Sequence, residues 1–160
     1  MIAEDTIYAF IDWCNATLIS QTIQQSLWLF PVIESVHLLG LALLGGATLV
    51  MDARLLGLGL TRQSVPLVAA TTRRWLLFGI AIMLATGIPL FLSETEKLYH
   101  SDAFWVKMAA LGFILLFSAT VKRRYLGGDI LNPLLGAVLG AVSMAAWFTV
   151  AAAGRWIGFS

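Results

Sequence analysis

The stretch WLFPVIESVHLLGLALLGG, residues 28–46, decides how this chain is built. It is apolar almost throughout and long enough, with its continuation to Met51, to cross a hydrocarbon layer of about 30 Å, which takes roughly 20 helical residues. Yet it holds Glu34 and His37 one helical turn apart. Three further runs have the same character: Trp75–Ser93, Ala103–Val121 and Leu131–Ala153. The whole chain has 160 residues, 59% hydrophobic and 12% charged, with a mean hydropathy of +0.87. A soluble domain carries about a quarter charged residues. The composition therefore predicts an all-α fold: a single integral membrane domain over residues 1–160, built as an antiparallel four-helix bundle with spans near 27–51, 75–93, 103–121 and 131–153.

Residues 3–22 read as an amphipathic surface helix, because Ile7, Phe10, Ile11, Trp13, Cys14 and Leu18 recur mostly at helical spacing. Glu4, Asp5 and Asp12 give this region the wrong sign for a cleavable signal. Cys14 is the sole cysteine, which excludes an internal disulfide and any multi-cysteine cluster. A formal charge of +1 and the lack of a basic, aromatic-rich stripe exclude nucleic acid as a partner. Lipid is the expected partner, with a homo-oligomer or a larger membrane complex beyond it.

The connectors predict orientation. Arg54, Arg62, Arg73 and Arg74 lie between the first two spans, and Lys122, Arg123 and Arg124 between the last two; the opposite side has Lys97, Lys107 and Arg155. The basic side should be cytoplasmic, which places the chain in a bacterial inner membrane with both termini outward. The connector TRQSVPLVAATTRR (61–74) suggests a short interfacial helix capped by Ser64, with Pro66 in its first turn. Pro31 and Pro133 fall in first turns, and Pro89 should bend the second span near its end. LGG at 126–128 reads as a turn. Small residues in GAVLGAVSMAA (136–146) and at Gly40, Ala42, Gly45 and Gly46 suit close helix packing, or the approach of a flat cofactor.

Glu34, His37, Leu41, Leu44, Thr48 and Asp52 share one face of the first span, a sparse polar stripe expected to face other helices, since ionisable groups in lipid cost several kcal/mol. Glu34 should lie about 10 Å and His37 about 15 Å below the outer edge, and Lys107 about 6 Å in from the same side. A Glu34–Lys107 ion pair follows. Asp52 and Arg54 should anchor the inner end at the headgroups.

Three chemistries compete for this stripe. The first is a haem b site, with His37 as axial ligand, Met83 or Met144 as the second, and Gly40 making room. The second is a single metal ion held by Glu34 and His37, with His100 added if the loop SETEKLYHSD (93–102) folds inward; ESVH matches one Glu-x-x-His unit of carboxylate-bridged sites, which use two. The third binds no cofactor and is a Glu34–His37–Lys107 network that fixes helix register. The working function is a redox or accessory subunit using His37. A non-enzymatic scaffold is the rival, and a proton or small-solute route along the stripe comes third.

The elements SLWLFPVIESVHLLGLALLGGATLVMDARLLGLG (26–59), TGIPLFLSE (86–94) and FWVKMAALG (104–112) together resemble an uncharacterised family of small bacterial inner-membrane proteins, a domain of unknown function. Its hallmarks map onto Trp28–Pro31, Glu34, His37, Asp52–Gly57, Phe104 and Lys107. The resemblance implies four membrane helices and no established activity. The family carries an asparagine late in the third span, where this chain has LLFSATV (115–121). A more distant likeness is to haem-binding membrane bundles, such as histidine-bearing protoporphyrinogen oxidases and copper-resistance membrane domains, which pair an early histidine with a later lysine-bearing helix.

Overall fold

A computed structural model describes residues 2–127 and 132–158. Every regular element among them is helical: α1 (Ile2–Ala16), α2 (Leu18–Gln24), α3 (Leu29–Leu55), α4 (Val65–Ser93), α5 (Thr95–Tyr99), α6 (Asp102–Phe117), α7 (Arg123–Leu126) and α8 (Pro133–Ile157). Four stretches are long and apolar enough to cross a membrane: α3, α4, α8, and Asp102–Leu126, which joins α6 to α7.

The helix ends follow local chemistry. Ser26 Oγ accepts from the backbone N–H groups of Trp28 and Leu29 where α3 begins. That helix stops at Gly57, whose φ of +74° suits a glycine after a helix end, and Leu58 N–H closes the turn on Ala53 O at 2.9 Å. Asn132 caps α8 through Leu134 and Leu135, with Pro133 as its first residue. The expected start of this span at Leu131 and the expected turn at Gly128 lie outside the described residues.

The third and fourth spans run on to Leu126 and Ile157, and two further elements differ from the sequence reading. The connector helix and the second span are one continuous α4 of 29 residues, starting at Val65. Between Pro66 and Gly79 no glycine or proline interrupts it, and the Thr71 and Thr72 hydroxyls bond back to Leu67 O and Val68 O, so polar composition there does not break the helix. The amphipathic first segment is two helices. Thr17 divides them, donating to Cys14 O at 2.7 Å and accepting from Ser20 N–H at 3.3 Å. Ile11, Cys14, Ser20 and Ile23 are buried, while Tyr8, Phe10, Trp13 and Leu18 are exposed. Gln24 Nε2 donates to Ser93 O at 2.9 Å, which ties α2 to the end of α4.

Glycines set the helix contacts. A Cβ added at Gly40 would lie 2.6 Å from Ile82 Cγ2, and one at Gly79 would lie 2.9 Å from Leu44 Cα. Contacts between α3 and α4 therefore run 37 with 86, 40 with 82 and 44 with 79, the order of opposed directions. On α8, Gly140 lies against Asp52 O and the Leu55 side chain, and Gly136 against the Tyr125 hydroxyl. Leu44, Ile114, Trp147 and Val150 form the central apolar cluster. A second cluster of Met51, Leu55 and Val68 gathers Val65, Tyr125 and Leu126 at one end.

Between α6 and α7 the ladder widens to a π turn over Ser118–Lys122. Such turns are rare and place one extra residue in a helix. Away from these contacts the long helices keep apolar side chains outward, among them Leu39, Leu84, Leu116 and Phe148, each more than half exposed.

Candidate functional site

Two polar groupings interrupt the apolar helix contacts. In the first, His37 of α3 is partly buried against α4, where its Nδ1 lies 2.8 Å from Thr86 Oγ1. Thr86 donates its hydroxyl proton to Ile82 O at 2.6 Å. Having one proton, it can only accept from the imidazole. His37 therefore donates through Nδ1, which leaves the Nε2 lone pair of the neutral ring unused. Gly87 lets the ring sit close to α4: a Cβ there would stand 3.2 Å from His37 Cε1. Lys107 runs along α8, with its Nζ 3.7 Å from where a Cβ of Gly154 would be. Nε2 has no hydrogen-bond partner among the described residues.

The second grouping is sealed. Asp52 is fully buried, and Lys122 Nζ forms a salt bridge with its Oδ1. Lys122 also donates to Ser143 Oγ at 3.2 Å, so α3, the π turn and α8 meet at one ammonium. Among the described residues the other carboxylate oxygen, Asp52 Oδ2, has no hydrogen-bond partner, and neither does Trp147 Nε1, one turn along α8 from Ser143. Leu44 and Trp147 of the central cluster separate this grouping from His37.

Other predicted residues fall elsewhere. Glu34 is exposed and makes no pair with Lys107, because α6 packs on α8 while α3 packs on α4 and α8. Asp52 and Arg54 do not work together as a terminal anchor. Burial commits Asp52 to Lys122, and Arg54 Nε donates to Gln63 O at 2.7 Å, bracing the loop after α3. Lys122 is accordingly an interior cation, not a loop charge. The face of Gly40 is filled by Ile82, and Met83 packs against the central cluster. Met144 is partly buried on α8. His100 ends α5, exposed, with its ring edge-on to Tyr99 at 5.1 Å. Among the described residues no three of His, Cys, Asp and Glu converge as metal ligands.

Sequence reasoning missed Thr86, Gly87, Lys122 and Ser143. A lone Thr-Gly pair in an apolar span and a lysine preceding two arginines were the available signals.

The hallmark residues now have positions. Phe104 stacks on Phe91 at 5.9 Å, Asp52 lies buried, and Gly57 stops α3. Over residues 10–160 the sequence matches a family described as a family of unknown function, DUF6644. The chain belongs to that family. No curated protein and no solved structure matches it. Membership in DUF6644 assigns no activity, so the function rests on the chemistry of the two polar groupings.

Proposed function

We propose that this DUF6644 chain is an integral protein of the bacterial inner membrane and that His37 is its working group, presenting Nε2 to a haem or metal ion in a redox or accessory subunit. The observation that carries this reading is the fixed imidazole: Thr86 accepts the Nδ1 proton, and Gly87 clears space beside the ring. Ligating histidines are commonly oriented in this way through their second nitrogen.

The donor set fits only in part. Nε2 suits a soft or borderline metal centre, but the side of Gly40 is filled and Met83 is committed to packing. A His37–Met83 pair within one chain does not fit a haem. His37 would then be the main ligand from this chain, with the others supplied by a second copy or another subunit.

The membrane assignment rests on four long apolar helices with largely exposed side chains, which suit lipid and not water. In this reading they form an antiparallel bundle. Arg54, Arg62, Arg73, Arg74, Arg123 and Arg124 mark the cytoplasmic end, against Lys97, Lys107 and Arg155 at the other. At 27 residues, α3 is about 40 Å long, longer than the hydrocarbon layer. Glu34, five residues in, then lies near the outer boundary, where its exposure is tolerable.

Absorbance of purified protein, oxidised and dithionite-reduced, together with elemental analysis, tests the site. A signal lost in His37→Ala supports it. Protein that stays colourless and metal-free, and gains nothing on titration with hemin or divalent copper, sinks it.

A second reading is favoured by the buried Asp52–Lys122–Ser143 grouping: a rigid scaffold whose polar contacts fix helix register. A continuous proton route is less well supported, since the apolar Leu44 cluster lies between the two groupings.

A further inference from the structure

The π turn and α7 carry an open groove of about 720 Å³, lined by Ala119, Thr120, Arg123, Arg124 and Gly127. These positions recur at helical spacing along one outward face. The groove is distinct from both polar groupings: Lys122, between its lining residues, points inward to Asp52. Neither arginine has a carboxylate partner among the described residues. Thr120 donates its hydroxyl to Leu116 O at 2.6 Å and retains acceptor capacity.

The composition of this face changes along its length. Toward the middle of α6, Leu116 is 69% exposed and Gly112 has open space where a side chain would be. Toward the end stand two guanidinium groups. An ionic end continuous with an apolar wall matches one molecule class in shape and charge. We infer that the groove binds an anionic phospholipid, with Arg123 and Arg124 on the phosphate and an acyl chain along Leu116 and Gly112. Guanidinium groups take phosphate oxygens in a bidentate fork, and basic sites at the cytoplasmic ends of spanning helices attract acidic headgroups. The inference rests on the membrane reading above, which also puts this end at the headgroup level.

The experiment uses the full chain in neutral detergent, titrated with phosphatidylglycerol, phosphatidylcholine or inorganic phosphate, with thermal unfolding and native mass spectrometry as readouts. Phosphatidylglycerol should bind and raise the unfolding temperature; phosphatidylcholine should not. The double variant Arg123→Gln, Arg124→Gln should bind roughly thirtyfold more weakly. The control Arg73→Gln, Arg74→Gln removes two exposed arginines from α4 and should bind like the wild type. Equal binding of both lipids, an equal loss in the control, or saturation by inorganic phosphate alone at matched concentration overturns the proposal. Flotation of wild type and double variant with phosphatidylcholine vesicles tests the membrane reading separately. If both float while lipid selectivity is absent, only the groove assignment fails; if neither floats, the membrane reading fails with it.

Discussion

The two polar groupings solve the same problem differently. At Asp52 the charges are opposite, paired and sealed beneath α8. At His37 the ring donates through Nδ1 and is half satisfied and partly open, with no ion pair at the ring among the described residues. A sealed ion pair holds helices together and offers nothing to a ligand. A half-used imidazole contributes little to stability and keeps a lone pair available. In the proposed reading, the contrast separates the part of the molecule that fixes the fold from the part that would bind a ligand.

Mutations can break that contrast. The largest effect is expected from Lys122→Met, which strands a buried carboxylate and should cost about 3–5 kcal/mol in denaturant unfolding from micelles. Adding Asp52→Leu to it should restore much of the loss, since an apolar pair of similar size replaces the ion pair. A single variant as stable as the wild type would remove the sealed site from the argument. Next, Gly79→Ala should cost about 1–3 kcal/mol, because the new methyl meets Leu44 backbone atoms at 2.9 Å. Gly154→Ala, where the nearest atoms are the flexible end of Lys107 at 3.7 Å, should be close to neutral.

Thr86→Val should cost only about 0.6 kcal/mol, the usual worth of one hydrogen bond between membrane helices. Its informative readout is nitrogen NMR of His37: the Nδ1–H tautomer should give way to a mixture. An unchanged tautomer would mean that Thr86 does not set it. Glu34→Gln should likewise move stability by less than about 0.5 kcal/mol, as expected for an exposed group with no partner among the described residues. A loss comparable to that of Lys122→Met would show that Glu34 is covered in the working assembly.

Hydropathy made the four long helices legible, because 20-residue apolar runs leave few alternatives. The extent of α4 was not legible. Its first ten residues read as a separate interfacial helix before the span, yet nothing after Pro66 stops the helix from running on. His37 stood out because an imidazole in an apolar run needs a partner, but which partner depended on how α3 and α4 meet at Gly40 and Gly79, a three-dimensional fact. Glu34 and Lys107 looked matched in depth, and depth alone does not bring α3 beside α6. Lys122 was hardest to place, since a lysine followed by two arginines reads as loop charge until the helix is wound.

That winding has a consequence of its own. Adding a residue to a helix turns everything beyond it by about 100° around the axis. The widened turn at Ser118–Lys122 therefore works as a clocking device: it aims one cation at the interior while its two successors look outward. Removing a single residue there would leave the composition and length of the span almost untouched. It would also re-aim the whole basic end, so the division of labour among three consecutive positive side chains depends on one residue of surplus backbone.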